Sequence, residues 1–74
     1  MPSFAERLKL LRKEKKLTQV DMANFLECTE QHYQRFEYGK VNVPALTLIA
    51  LADFFDVSLD FICGRNDNPN SHKS

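Results

Sequence analysis

Residues 18–38 of this 74-residue chain read TQVDMANFLECTEQHYQRFEY. The pattern predicts two short helices, Gln19–Leu26 and Glu30–Tyr38, each preceded by a threonine that is able to cap its first turn. Only three residues separate the two helices, and Gly39 ends the second one. A turn this short favours helices that cross at about 90–120° over a long antiparallel pair. The segment therefore predicts a helix-turn-helix unit.

The second of these helices has two chemically different faces. Because successive residues turn by about 100° around a helix, Tyr33 and Phe36 fall on one stripe with Glu37 beside them. The opposite stripe consists of Gln31, Gln34, Arg35 and Tyr38. Glutamine can bond N6 and N7 of adenine, and arginine can bond O6 and N7 of guanine, so this stripe is able to read bases in a major groove. An ordinary solvated helix surface carries the same residue types, and that alternative stays open.

The flanking sequence predicts three more helices. A capping-box pattern at Ser3-Phe4-Ala5-Glu6 begins the first helix. Residues 44–55 form an almost continuously apolar helix, which we expect to be the buried centre of the domain. Ser58 caps a last short helix, residues 59–63, which Gly64 stops. No segment alternates with the period of a strand, so the predicted fold is all-α, a five-helix bundle.

Length and composition indicate one small globular domain over residues 1–64, followed by a polar tail, residues 65–74, that we expect to be disordered. The longest apolar stretch, residues 45–55, is too short to span a membrane. The first seven residues lack the apolar core of a secretory signal. With two cysteines and no such signal, the chain is expected to be cytoplasmic with reduced thiols.

The net charge is zero, but the charges are unevenly distributed. The first sixteen residues carry six basic and two acidic side chains, whereas the next forty-eight carry two basic and seven acidic ones. A basic end is able to steer a molecule toward phosphate. On the first helix, the sequence predicts a basic stripe, either a solvated face or a phosphate contact, made of Lys9, Arg12, Lys13 and Lys16.

Several short motifs occur in order along the chain. They are Leu17-Thr18-Gln19, Met22-Ala23, Leu26, Thr29, Phe36-Glu37, Gly39-Lys40, Pro44, Phe55-Asp56-Val57-Ser58-Leu59-Asp60, Gly64-Arg65 and Asp67-Asn68-Pro69. Together they resemble the DNA-binding domain of the phage repressor and Cro family, also called the xenobiotic-response-element type. The resemblance covers roughly residues 4–69. It implies a five-helix domain that binds double-stranded operator DNA as a homodimer.

The resemblance also implies roles for individual residues. It places Gln19 against a phosphate and the third helix, and Lys40 against the DNA backbone. It joins Arg12 and Glu37 in a buried ion pair, which agrees with the helix-face argument because an unpaired buried carboxylate is costly. It places Glu30, Gln31 and Arg35 at base edges. It gives His32 and Gln34 as flanking or phosphate contacts. The predicted DNA-binding set is Gln19, Thr29, Glu30, Gln31, His32, Gln34, Arg35, Lys40 and Asn42.

Three features depart from the family pattern. Glu27 occupies a turn position that is usually glycine, because the chain there tends to a positive φ. The loop of residues 41–45 lacks the additional basic residues that some relatives have. Glu30 brings an acid close to phosphates, although its carboxylate could accept a hydrogen bond from cytosine N4. We therefore expect modest DNA binding or a strong dependence on dimerisation.

The sequence thus predicts a sequence-specific DNA-binding transcriptional regulator, a repressor that binds a palindromic operator as a homodimer through its third helix. The alternative is a protein-interaction module, an antitoxin or partner subunit, which the neutral net charge favours. An enzyme is not expected, since no nucleophile–base pair or carboxylate dyad is recognisable. No cofactor or metal is expected either, because Cys28 and His32 lack the paired spacing of zinc ligands.

Overall fold

The computed structural model describes residues 3–65, and all regular secondary structure in that range is helical, with no strand. Its helices are α1 Phe4–Glu14, α2 Gln19–Leu26, α3 Glu30–Tyr38, α4 Ala45–Phe55 and α5 Leu59–Ile62. The predicted all-α class with five helices is therefore confirmed. Beyond Arg65, the predicted tail and the Asp67-Asn68-Pro69 motif lie outside the described residues.

Four side-chain caps fix where helices begin. The hydroxyls of Ser3, Thr18, Thr29 and Ser58 each accept a hydrogen bond from the backbone N–H three residues later. The predicted capping box at Ser3 is present, and a second one at Thr18 is closed by Asp21. These contacts satisfy backbone donors that would otherwise lack a partner, and the helix starts follow from them.

Left-handed residues end α2, α3 and α4. Gly39 adopts φ 73° after α3, whereas Glu27 and Asp56 adopt φ 56° and 58° after α2 and α4. The chain therefore has a positive φ at Glu27, the turn position that glycine usually occupies in the family. A residue with a Cβ in this conformation costs roughly 1–2 kcal/mol relative to glycine, so the turn between α2 and α3 is strained.

The core forms where α2 and α3 pack on each other, where α1 packs on α3, and where α5 packs against α1 and α4. Tyr33 on α3 is the largest fully buried side chain. The buried apolar residues come from every helix and are Leu8, Leu11, Met22, Ala23, Tyr33, Phe36, Leu51, Ala52, Phe55, Val57 and Ile62. This packing fixes the orientation of α3, whose opposite face is left in solvent.

The prediction that α4 forms the buried centre is wrong. Only its C-terminal half is buried, through Leu51, Ala52 and Phe55, whereas Leu46 is 81% exposed and Ile49 is 43% exposed. The N-terminal half of α4 extends past the core, because α4 packs mainly on the short helix α5. No helix in residues 3–65 is long and apolar enough to cross a membrane.

The predicted basic face of α1 also needs correction. Arg12 does not belong to an exposed stripe: it is buried, and so is Arg7. The guanidinium carbon of Arg7 lies 3.9 Å from the centroid of the Phe61 ring, a cation–π contact between α1 and α5. The exposed basic residues of the predicted stripe are Lys9, Lys13 and Lys16.

Candidate nucleic-acid interface

The third helix presents a polar face to solvent because its apolar face is held in the core. Tyr33 and Phe36 are buried together with Glu37, as the helical spacing predicts. Gln31, Arg35 and Tyr38 are exposed on the other side, and Gln34 is half-buried between the two faces. The polar stripe predicted from the sequence therefore exists as one continuous surface on α3.

The two ends of α3 carry the remaining predicted contacts. At the start, the Thr29 hydroxyl accepts a hydrogen bond of 3.1 Å from the backbone N–H of His32, whose ring packs edge-on against Phe36 at 4.9 Å between centroids. At the end, Gly39 turns the chain so that the Lys40 N–H donates to the Arg35 carbonyl at 3.0 Å. Thr29, His32 and Lys40 are all exposed, as is Asn42 in the following loop.

A buried ion pair joins α1 to α3. The Nε of Arg12 donates to Glu37 Oε2 at 2.6 Å, and its Nη2 donates to Glu37 Oε1 at 3.2 Å. The third guanidinium nitrogen, Nη1, donates to the backbone carbonyl of Leu17 at 2.8 Å. The hydrogen bond to Glu37 raises the pKa of Arg12. The ion pair therefore fixes the orientation of α3 relative to α1.

Two further side chains donate to the same carboxylate. The Tyr33 hydroxyl donates to Glu37 Oε2 at 2.5 Å, and Gln19 Nε2 donates to Glu37 Oε1 at 3.2 Å. Burial raises the pKa of the Glu37 carboxyl, but the hydrogen bonds from Arg12, Tyr33 and Gln19 outweigh burial and hold this pKa below its ordinary value. Burial and the adjacent Glu37 raise the pKa of Tyr33 well above its usual range, so its hydroxyl stays a donor. Glu37 is thus a charged, fully coordinated carboxylate in the core.

A chain of hydrogen bonds continues from Glu37 to the surface of α3. Gln19, at the start of α2, turns its NH2 group toward Glu37 and its Oε1 toward Gln34. The Nε2 of Gln34 donates to Gln19 Oε1 at 3.1 Å and to Glu30 Oε2 at 3.4 Å. We call Glu37, Gln19, Gln34 and Glu30 the polar chain. It links the core to Glu30, a predicted base-edge contact, and to Gln34, a predicted flanking or phosphate contact.

The other predicted contacts differ from the polar chain in how they are held. The side chains of Gln31, Arg35, Lys40 and Asn42 make no hydrogen bond to other residues within 3–65. They are exposed on α3 and in the loop that follows it. Their donors and acceptors are therefore available to a ligand.

Sequence reasoning missed two of these contacts. The sequence predicted Tyr33 only as an aromatic residue of the buried face, not as a hydrogen-bond donor to Glu37. The spacing of four residues between them on one helix is a signal that could have indicated this contact. The contact between Gln34 and Gln19 joins residues fifteen positions apart, and no local pattern indicates it. Gln34 was expected as a flanking or phosphate contact, whereas the structure ties it to α2.

The cysteines and acidic residues form no metal centre in the described part of the chain, where no cluster of three or more His, Cys, Asp or Glu side chains is placed to hold an ion. Cys28 and Cys63 are free and half-buried. Burial raises the pKa of both thiols, and Asp60 adds to this effect at Cys63. Neither thiol has the low pKa of a reactive cysteine.

The fold and the exposed face of α3 define a helix-turn-helix domain, and comparison with known proteins identifies its family. A family model described as helix-turn-helix matches residues 8–62. This chain belongs to the Cro/C1-type helix-turn-helix family, which consists of transcriptional regulators. The resemblance inferred from the sequence motifs is thereby confirmed.

Similar curated proteins come from Bacillus subtilis strain 168. The chain is 42% identical over 65 residues to YqaE, an uncharacterized HTH-type transcriptional regulator, with 88% of this chain and 56% of that protein covered. It is 42% identical over 59 residues to YonR, an SPbeta prophage-derived regulator of the same type, covering 80% and 55%. It is 35% identical over 66 residues to YobD, a further such regulator, covering 89% and 59%. The chain spans about half the length of the curated relatives that it matches.

Proposed function

We propose that this protein is a sequence-specific DNA-binding repressor of transcription, which binds a palindromic operator as a homodimer and inserts α3 into the major groove. The observation that carries the proposal is the exposed surface of Gln31 and Arg35 on α3 and Lys40 just after it. Their side chains make no hydrogen bonds within residues 3–65, while the opposite face of α3 is held in the core by Tyr33, Phe36 and Glu37. Arg35 is suited to O6 and N7 of guanine. Lys40 is suited to a phosphate at the exit from the groove.

Three lysines in and just after α1 support DNA binding electrostatically. Lys9, Lys13 and Lys16 are exposed and belong to the basic end of a chain whose net charge is zero. Attraction to phosphate raises the rate of encounter and makes binding sensitive to salt. Occupation of promoter DNA by such a domain blocks access to it, which is the basis for proposing repression.

The exposed half of α4 supports a second copy of the chain as partner. Leu46 and Ile49 are adjacent on one helical face and are both exposed, and Leu59 on α5 is 44% exposed. Exposed apolar residues that cluster mark interaction surfaces more often than those that are scattered. Dimeric helix-turn-helix proteins place their second helices in major grooves about 34 Å apart, and this is the arrangement proposed for two copies joined through α4.

Selection of bound duplexes from a random library tests the proposal. The expected result is an enriched near-palindrome that binds far more tightly than scrambled DNA at two salt concentrations. If no sequence is enriched and the residual binding disappears as salt is raised, only attraction to the DNA backbone remains. That result would overturn sequence-specific regulation.

Sedimentation tests the homodimer separately. We expect Leu46→Lys to shift the protein to monomer and to bind one half-site, because a charge on an apolar contact is costly to desolvate. Leu10→Lys is the matched control, since Leu10 is an exposed leucine on a different helix, α1, with 56% of its surface exposed. Equal dimer constants for both variants would exclude the α4 face as the contact.

Two observations favour a second candidate function, a protein-interaction module. Leu46 is 81% exposed, and the first turn of α3 carries the acid Glu30, which repels phosphate. Failure of the selection experiment together with a stable complex between this chain and a different protein would establish this alternative.

A further inference from the structure

The structure assigns to Gln34 the role of an acceptor-only reader of DNA bases, held in that state by Gln19 as a positioning residue. This inference rests on the proposed function and deepens it. It states that the Gln34 carbonyl oxygen, Oε1, accepts a hydrogen bond from a base amino group, N6 of adenine or N4 of cytosine. It also excludes contact between the Gln34 side chain and a phosphate.

Glu37, the buried end of the polar chain, determines which way the amide of Gln19 is turned. An ionised carboxylate only accepts hydrogen bonds, so Gln19 has to turn its NH2 group toward Glu37, 3.2 Å away. The carbonyl oxygen of Gln19 then faces Gln34. Gln34 in turn has to present its own NH2 group to this oxygen, at 3.1 Å. The direction of each amide is thus fixed from the core outward.

Both side-chain N–H donors of Gln34 are used within the protein. A side-chain amide has two N–H bonds and no others. One N–H of Gln34 is used by Gln19 Oε1 and the other by Glu30 Oε2, at 3.4 Å. No donor of this side chain is left for a ligand.

The carbonyl oxygen of Gln34, Oε1, is the polar atom of this side chain that remains available to a ligand. Gln34 Oε1 accepts no hydrogen bond from the residues that the structure describes, and it is not among their buried polar atoms, so it is open to solvent. Phosphate oxygens are acceptors as well and cannot bond to it. In the major groove, the donors are the amino groups of adenine and cytosine, whereas guanine and thymine present acceptors beside Gln34.

Glu30 extends the same chemistry. Its carboxylate lies beside Gln34 and is also acceptor-only, so this end of α3 offers two acceptors side by side. Arg35, one residue further along α3, offers only donors. α3 therefore carries two acceptor-only side chains, Glu30 and Gln34, beside the donor-only side chain of Arg35. The operator is expected to present amino groups to the first two and guanine to Arg35.

The experiment uses the whole chain and the operator obtained by selection. The dissociation constants of all single-base variants of that operator are measured for the wild type, Gln34→Met, Gln19→Met and Asn24→Met. For the wild type we expect one position at which adenine or cytosine binds about tenfold more tightly than guanine or thymine. Gln34→Met should remove this preference. Asn24→Met, the matched control, removes an exposed amide of α2 outside the predicted DNA-binding residues and should leave the preference unchanged.

Gln19→Met provides the readout for positioning. It removes the partner that orients Gln34 while Glu37 keeps its bonds to Arg12 and Tyr33, so the domain stays folded. We expect the ratio between bases to fall at the Gln34 position, because the freed amide can rotate and offer a donor. A uniform loss of affinity with unchanged ratios would overturn the positioning role of Gln19.

The remaining outcomes separate this inference from the proposed function. A specific operator whose Gln34-dependent position is guanine or thymine, or which has no Gln34-dependent position, overturns the acceptor assignment and leaves the regulator intact. The absence of any specific operator overturns both. In the free protein, the two side-chain NH2 resonances of Gln34 should shift on Gln19→Met and not on Asn24→Met, and unshifted resonances in Gln19→Met would contradict the geometry without any DNA.

Discussion

Replacing Arg12 with methionine tests whether its ion pair with Glu37 holds α1 and α3 together. The side chain of Glu37 is 1% exposed and that of Arg12 is 10% exposed, so the variant leaves a charged carboxylate in the core with only Tyr33 and Gln19 as donors. Removing one partner of a buried pair costs about 3–5 kcal/mol. The Leu17 carbonyl also loses the donor Nη1, which places the expected cost in the upper part of that range.

This cost is large compared with the stability of a small domain. At the usual ~0.05–0.15 kcal/mol per residue, a chain of this length is stable by about 4–11 kcal/mol. A change of one kcal/mol moves the Tm of such a domain by roughly 4–8 °C. We therefore expect Arg12→Met to lower the Tm by about 12 °C or more.

Thermal and urea unfolding followed by circular dichroism measure the effect. Lys13→Met is the matched control, because Lys13 is the exposed neighbour of Arg12 on α1 and its replacement removes the same charge. It should change the free energy of unfolding by no more than about 0.5 kcal/mol. If Arg12→Met costs no more than this control, the reasoning from burial is refuted.

The double variant Arg12→Met/Glu37→Met separates the cost of an orphaned charge from the value of the pair. Removing both partners eliminates the unpaired carboxylate, so part of the lost stability should return. The recovery should be incomplete, because the Tyr33 hydroxyl loses its acceptor and the Leu17 carbonyl its donor. A double variant less stable than Arg12→Met would contradict this account.

Three other outcomes are expected. The folded-state pKa of Glu37 lies below its ordinary value of 4.5, so its contribution to stability is complete above that value and is lost as the pH falls through the lower folded-state pKa. Acid unfolding of Glu37→Gln should therefore depend less on pH than that of the wild type, and equal dependence would count against the network. Glu27→Gly should stabilise the domain by roughly 1–2 kcal/mol by relieving the left-handed turn, and an unchanged urea midpoint would show that the turn is unstrained. Arg35→Ala should cost about 1–3 kcal/mol of binding free energy and relax one base position, whereas Lys40→Ala should weaken binding to all sequences alike. A uniform loss for Arg35→Ala would reassign this side chain to a phosphate.

The helices could be predicted closely because their ends depend on local chemistry. Ser3, Thr18, Thr29 and Ser58 each cap within three residues, and a window of four residues contains both partners of such a contact. The buried face of α3 followed from helical periodicity for the same reason. These parts of the fold require no knowledge of tertiary structure.

The exposure of α4 could not be predicted in this way. The apolar side chains of Leu46 and Ile49 indicate that these residues favour contact with other apolar groups. They do not indicate whether those groups belong to the same chain or to a partner. The core of this small domain is complete with Leu51, Ala52 and Phe55, and the first half of α4 extends beyond it. Predicting the exposure of this half of α4 requires the positions of α1 and α5, and no local sequence pattern gives those positions.

The polar chain connects a contribution to stability with the surface that we propose reads DNA. Glu37 belongs to the core and contributes to stability, whereas Gln34 belongs to the surface that we propose reads DNA, and Gln19 is bonded to both. A substitution at Glu37 therefore changes the orientation of Gln34 as well as the free energy of unfolding. Loss of base preference in a Glu37 variant that is still fully folded would demonstrate this coupling, and preference that survives until the domain unfolds would show that the surface amide is oriented independently of the core.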